Sequence, residues 1–367
     1  MNYRKLKNTD ENVSILGLGC MRFPLKNING KDVVDETESI KMIRHAIDNG
    51  VKYIDTAFIY HAGESETIVG KALRDGYREK VMLATKSFTP EIKSADDFDK
   101  MLDKQLEKLQ TNTIDFYLQH CLSLNLWKEK VEKFGLLEKL KKAKSDGKIR
   151  HIGFSFHDDL DTFKMIVDSF DEWEFCQIQL NYADIAFQAG IEGLEYASKK
   201  GLDIIVMEPL RGGDLAMPTV NVVDSLNDTK SLVEWGLDFV WNRPEVGVVL
   251  SGMSNLNQLN QNIEFASRAT ANMLSSSECE MLENAGKIFN SQVLAACTKC
   301  EYCMPCPMGI VIPDVMKAYN MTTYAPENSK KLFKNMSVQP SACISCKKCE
   351  NACPQHLKIS EIMNLQR

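Results

Sequence analysis

The sequence predicts an α/β chain in two parts: a closed barrel of eight parallel strands and eight helices, then a small, mainly helical, cysteine-rich part. Three observations predict it. From residue 13 to about 268, short β-branched runs alternate eight times with amphipathic stretches. The runs are apolar almost throughout, as strands buried on both faces of a parallel sheet must be. Finally, eight of the twelve cysteines fall within the last 71 of the 367 residues, and a chain of that length has room for one large domain and one small one.

The strand runs, in order, are VSILGLG (13–19), VKYID (51–55), KVMLATK (80–86), TIDFYLQ (113–119), IRHIGFS (149–155), EFCQIQL (174–180), LDIIVME (202–208) and VGVVLSG (246–252). Helical stretches follow them at 35–50, 64–76, 94–109, 127–147, 158–170, 187–201, 230–242 and 255–267. Several open with Ser, Asp or Asn and close on Gly, the expected cap residues. Eight repeats over roughly 250 residues favour the (β/α)8 or TIM barrel, since an open sheet has no reason to stop at eight. GLGCMR (17–22) begins like a dinucleotide fingerprint, but it lacks the third glycine, and Phe23, Pro24 and the turn-like NING that follow are no helix.

Composition excludes several classes of function. The chain carries 44 Lys and Arg against 50 Asp and Glu, a formal charge of −6. From Cys297 onward the count is nine against five, or +4, leaving 35 against 45, or −10, for residues 1–296. That balance predicts no nucleic-acid binding. The mildly basic end suits an acidic redox partner such as a ferredoxin or flavodoxin; solvated surface lysines are the plainer alternative. The polar opening MNYRKLKNTDENVS predicts no secretory signal, and no apolar run approaches the ~20 residues that span a bilayer. A cytoplasmic location is expected, where thiols stay reduced and cysteine spacing reads first as metal-ligand spacing.

Chemistry in such a barrel sits at the C-terminal strand ends. The second strand ends in Asp55 and its loop YIDTAFIYHAG carries Tyr60; the third ends in Lys86; the fourth ends in His120. Each alone has a structural reading, as a cap, a packing ring or a satisfied histidine. Together they ring one mouth with a carboxylate, a phenol, an ammonium and an imidazole. A phenol of unperturbed pKa near ~10 is a poor acid, and a lysine cation beside it brings it toward the working range. Asp55 would hold Lys86, and His120 would hydrogen-bond a substrate oxygen. The set lacks a nucleophile and a hydrolytic metal, so it suits proton transfer at a carbonyl oxygen while a cofactor moves a hydride.

Over about residues 1–290 the chain resembles the aldo-keto reductases, from YRKLKNTDENVSILGLGCMRF through DTAFIY, ATK and LQH to SGMSNLNQLNQNI. Asp55, Tyr60, Lys86 and His120 fall on that family's catalytic tetrad. The resemblance implies a nicotinamide cofactor, NAD(P)H, held across the barrel mouth without a Rossmann fold, and a small carbonyl or alcohol substrate. It implies that Ser155 and Gln177 hold the nicotinamide amide, although Phe156 stands where many relatives have Asn. Met207 occupies the place where many members stack a Tyr on the nicotinamide, and a thioether packs against aromatic rings. Met21 is expected to line the same pocket; core filling is the alternative for both methionines. In the last loop, Gly252, Met253 and Asn255 offer hydrogen bonds to a phosphate at the start of a helix, and Gln258 and Asn262 match adenine-side positions. No Lys or Arg stands in SGMSNLNQLNQNI, which predicts that NADH competes well with NADPH.

CISCKKCENACP (343–354) is C-x2-C-x2-C-x3-C-P, the run that bacterial-type ferredoxins use for [4Fe-4S] clusters. The first run, CTKCEYCMPCP (297–307), is one residue shorter before its Cys-Pro pair. Crossed ligation assigns Cys297, Cys300, Cys303 and Cys353 to one cluster and Cys343, Cys346, Cys349 and Cys306 to a second. Structural zinc is the alternative, but zinc ribbons use two separated C-x2-C pairs, which two triplets fit badly. IPDVMKAYN, ENSKKLFKN and SEIMNLQ read as short helices, so residues 291–367 resemble the α-helical ferredoxin modules of several oxidoreductases. Cys20 and Cys121 are placed beside the substrate pocket, Cys176 and Cys279 as structural. The reaction expected is reversible hydride transfer between NAD(P)H and an aldehyde, ketone or alcohol. The rival is an electron-transfer or redox-sensor protein that keeps the barrel as a nicotinamide-binding or docking scaffold.

Overall fold

The computed structural model describes residues 1–365. Its strands β1 (Leu16–Gly19), β2 (Tyr53–Asp55), β3 (Met82–Ser87), β4 (Ile114–Leu122), β5 (Ile149–Phe156), β6 (Phe175–Gln179), β7 (Asp203–Met207) and β8 (Val246–Gly252) pair in parallel and in chain order. Pairing of β8 with β1, Val249 to Leu16 through Gly252 to Gly19, closes the barrel. All eight strands lie where the sequence places them. Tyr53, Ala84, Phe116, Leu118, Phe175, Ile205, Val248 and Leu250 fill its interior with side chains.

Helices cover the outside: α1 (Glu36–Asp48), α2 (Ser65–Ala72), α3 (Ala95–Leu109), α4 (Leu136–Ser145), α5 (Leu160–Asp168), α6 (Gly190–Lys199), α7 (Leu232–Trp241) and α8 (Leu256–Arg268). Asp35, Asp159 and Asn255 cap α1, α5 and α8 by accepting from the backbone N–H three residues on, as their positions before the apolar pattern predict. The stretch expected as one helix over 127–147 divides. Residues 127–132 form a wide π turn, Gly135 takes φ +60°, and α4 starts after it.

Two hairpins escape the strand pattern. Asn12–Ser14 splits off from the first predicted run and pairs with Tyr3–Lys5, placing Leu6 and Val13 on the interior cluster. The Asp203 carboxylate ties this hairpin down by accepting from the N–H groups of Lys7 (2.7 Å), Asn8 (3.2 Å) and Thr9 (2.9 Å). Leu25–Ile28 pairs with Lys31–Val34 around Asn29 and Gly30, both at positive φ, the Asn-Gly turn that suits a two-residue hairpin. A strand therefore follows GLGCMR, where a dinucleotide fingerprint needs a helix.

The chain forms two compact units, residues 1–209 with 236–275, and residues 210–235 with 276 onward. The linear boundary near residue 290 does not coincide with them, because the loop after β7 and helix α9 (Ser276–Gln292) associate with the cysteine-rich part. That unit also holds α10 (Ile312–Met321), α11 (Pro326–Lys334), α12 (Lys348–Ala352) and α13 (Ile359–Leu365). The three helices read from sequence are α10, α11 and α13; Gln366, the last residue of SEIMNLQ, lies outside the described residues. Ala295, Ile310, Ile312, Val315, Met316, Ile359, Ile362 and Met363 form its core, with six of the clustered cysteines against it. Among the described residues no helix is long and apolar enough to cross a membrane.

Candidate active site and cysteine centre

Parallel register brings the C-terminal strand ends to one mouth, with Gly19 beside Asp55 and Asp55 beside Ala84. Two residues beyond Ala84, the fully buried Lys86 Nζ donates to Asp55 Oδ1 (2.6 Å) and to the Thr56 carbonyl (2.8 Å). Lys86 Nζ lies 5.2 Å from the Tyr60 ring centroid, and the Tyr60 and His120 rings meet edge to face at 6.2 Å. The four residues named from sequence therefore converge. Burial pushes the Asp55 carboxyl up, and the Lys86 ammonium draws it partly back. His120 sits well below the ordinary imidazole value, first through burial and then through Lys86 and His157, so the ring is neutral at neutral pH.

Local backbone shape aims these groups. Tyr60 opens a single turn, Tyr60–Gly63, in which His61 and Ala62 have left-handed φ of 51° and 54°. His61 Nε2 accepts from the Phe23 N–H (3.1 Å), and its ring stacks on Phe23. Burial, then Arg22, lowers the His61 imidazole to about 4. His120 stands in a bulge: the register of β4 on β5 breaks between Gln119 and Leu122, and Cys121 has φ +62°. Such bulges re-aim side chains at strand ends. Cys20 and Cys121, the thiols placed near the pocket, are buried. Burial raises both, Cys121 to about 12, so neither is a nucleophile at neutral pH.

The residues assigned to a nicotinamide fall on adjacent strands. Ser155 and Gln177 are direct partners on β5 and β6, and Gln177 Nε2 lies 3.4 Å from Met207 Sδ on β7. Gln177 Oε1 is buried with no partner; an acceptor left so needs a ligand donor such as a carboxamide N–H. Ser155 Oγ accepts from the Cys121 N–H (2.9 Å), leaving its hydroxyl hydrogen to donate. Phe156 turns away into the core against Phe163, rings 5.0 Å apart. Met21 and Met207 are half-buried and Met253 is buried. At the last loop, Asn255 and Gln258 cap α8, Gln258 Oε1 accepting from the Ser254 N–H (2.8 Å). Asn262 is buried and donates to Ser251 Oγ (3.0 Å). The structure gives Gln258 a capping contact and Asn262 a packing contact. It also brings in a cation that the loop lacks: a Cβ on Gly252 would meet Arg22 Cγ at 2.7 Å, so the arginine stem lies across that glycine.

The cysteine runs form two tight loops. Lys299, Glu301, Ser345 and Lys347, set between the cysteines, all take left-handed φ of 52–64°. Each such residue costs about 1–3 kcal/mol, and alternation of this kind turns successive N–H groups inward into an anion nest of the type found at Fe–S sites. The Ser345 N–H points at Cys343 Sγ (3.4 Å). Cys303, Cys306, Cys343, Cys346 and Cys349 line one cavity of about 140 Å³, which brings Cys303 and Cys306 of the first run to the second triplet. Burial raises the Cys297 and Cys303 thiols; Cys353 adds to both, and Cys297 and Cys349 also add to Cys303, so thiols of both runs lie near Cys303. Among the described residues no three His, Cys, Asp or Glu side chains converge on a single ion.

Residues 15–285 match the aldo/keto reductase family. The chain belongs to the aldo-keto reductases. Residues 296–357 match the 4Fe-4S dicluster domain. A probable aldo-keto reductase 1 of Glycine max is 32% identical over 161 residues, 41% of this chain, which spans 44% of that relative. The uncharacterized oxidoreductase YrpG of Bacillus subtilis is 31% identical over 58% of this chain and 68% of its own length. The structure of aldo-keto reductase AKR11C1 from Bacillus halodurans, holo form, superposes with a TM-score of 0.65 at 24% identity, covering 78% of this chain and 96% of that one.

One part of this aldo-keto reductase site is absent from the sequence reading. Behind Lys86, the fully buried Gln105 donates to Glu66 (2.7 Å) and to the Lys86 carbonyl (3.0 Å), and accepts from the Tyr117 hydroxyl (2.8 Å). Thr85 and Lys108 also donate to Glu66. This network fixes the backbone of the strand that carries Lys86. The available signal was weak, a glutamate and a glutamine each on a helix with apolar neighbours.

Proposed function

We propose that this aldo-keto reductase reversibly reduces a small aldehyde or ketone with a nicotinamide cofactor, and that Tyr60 is the general acid and base. The convergence of Asp55, Tyr60, Lys86 and His120 at one mouth carries the reading. When bound, NAD(P)H supplies the hydride to the carbonyl carbon. Tyr60 Oη gives its proton to the carbonyl oxygen, and in the reverse direction takes it from the alcohol. Lys86, 5.2 Å from the ring, stabilises the negative charge left on the phenol, and Asp55 holds the ammonium in place. His120, neutral through burial, donates a hydrogen bond to the reacting oxygen and so favours the charge developing there. Ser155 and Gln177 hold the nicotinamide amide, with Met207 and Met21 against the ring. Gly252, Met253 and Asn255 line the phosphate end with the Arg22 guanidinium, and Gln258 and Asn262 shape the adenine side.

Residues 1–290 carry this chemistry, and residues 291–367 hold two [4Fe-4S] clusters for one-electron transfer. Cys297, Cys300, Cys303 and Cys353 take one, Cys343, Cys346, Cys349 and Cys306 the other, within loops whose inward N–H groups suit a sulfide-rich anion. The protein works in the cytoplasm with an acidic redox partner. Steady-state assays over a panel of aldehydes and ketones test the reading, which expects turnover with both cofactors. A kcat/KM preference for NADPH of about a hundredfold would contradict turnover with both cofactors and would show that Arg22, laid across Gly252, supplies the cation that the last loop lacks.

A further inference from the structure

We propose that the face around Cys346 is the docking surface for an acidic one-electron carrier protein. It rests on the reading that the second cysteine set holds a cluster, and it assigns contact with the carrier to that cluster. Among the described residues Cys346 is the one exposed cysteine of the eight; the other seven are half-buried. One-electron exchange between proteins is faster the shorter the path to the surface, and Cys346 reaches the surface in a run, Ile344–Lys348, that is exposed at every position.

The surroundings have the composition of a small interface. Ile344 is 61% exposed and Met308 40%, and both line the cysteine cavity together with Lys347 and Lys348. An apolar centre beside charges of one sign is how interfaces combine affinity with steering. No acid lies in the segment 341–348. The next one, Glu350, is turned onto Ser360, accepting from its N–H and its hydroxyl. The face is therefore cationic beside an apolar spot, within a part whose formal charge is +4 from Cys297 onward. Charge complementarity selects an acidic protein as the occupant, and the adjacent thiolate cluster selects one that carries single electrons.

The test uses the full chain, purified anaerobically with iron and sulfide measured, and calorimetric titration at low salt with a flavodoxin as the acidic carrier. Saturable binding is expected, weakening as salt rises. Lys347→Glu with Lys348→Glu, and separately Ile344→Asp, should weaken it about tenfold or more at unchanged iron content. Lys330→Glu with Lys331→Glu, the same charge change on α11, should stay within about twofold of the parent. If the reversal at 347 and 348 loses iron, Lys347→Gln with Lys348→Gln replaces it, and several-fold weakening is expected. Full iron without flavodoxin binding, equal weakening by both lysine pairs, or binding to phosphatidylglycerol vesicles in place of flavodoxin would overturn the docking surface alone. Absence of iron from the anaerobic protein would overturn the cluster reading and this proposal with it.

Discussion

Lys86 is fully buried, and the Asp55 carboxylate holds it at 2.6 Å. Removing one partner of such a pair leaves an uncompensated charge in the interior, which costs about 3–5 kcal/mol. Asp55→Asn should therefore lower stability by about that much in urea titrations, as well as slow turnover. The two histidines beside the mouth carry a pH dependence. His61 is held down to about 4 and His120 well below 6.5, so the unfolded chain binds protons that the folded chain refuses. Their contribution is fully present above pH 6.5, the unfolded value, and is lost as pH falls toward 4. The urea midpoint should fall across that window, and His61→Gln, which can still accept from the Phe23 N–H, should flatten the fall.

Elements were legible where a period reveals them. Each of the eight strands was marked by an apolar run between turn residues, and α1, α5 and α8 by their caps. Features that depend on packing between elements left little trace. Gln105 in DDFDKMLDKQLEKL falls at helical spacing on the face of Phe98, Met101, Leu102 and Leu109, but its partners Glu66 and the Lys86 carbonyl come from other elements and leave no mark in the sequence. Gln105→Leu removes the acceptor of the Tyr117 hydroxyl and a donor from Glu66 and from the Lys86 carbonyl; each lost buried hydrogen bond costs about 0.5–1.5 kcal/mol, readable as a lower melting temperature. The convergence of Asp55, Tyr60, Lys86 and His120 was legible because they stand at or just past the ends of successive strands, whereas the bulge at Cys121 beside His120 has no glycine to mark it. The loop after β7 was equally hidden. In the cysteine-rich unit Gly212 has φ +63°, and a Cβ there would lie 2.1 Å from the Thr298 carbonyl oxygen. Gly212→Ala should displace the first cysteine loop and lower the iron content of purified protein.

At the scale of the whole molecule the chain joins an acidic part to a basic one, −10 for residues 1–296 and +4 beyond. Hydride carries two electrons at once and a cubane one, and the sequence shows no flavin motif that converts between them. Carbonyl reduction with excess nicotinamide needs no such conversion. Air-bleached protein should therefore keep carbonyl turnover within about twofold of the anaerobic protein, checked by parallel assays with iron analysis. The rival, a sensor with a vestigial barrel site, disagrees with the central claim at one atom, the Tyr60 hydroxyl. Single-turnover reduction of an aldehyde by Tyr60→Phe, with cofactor affinity measured on the same sample, tests that claim most directly. The account predicts affinity within about twofold of the parent and a rate lower by about 10²–10⁴-fold; an unchanged rate without the hydroxyl would contradict it.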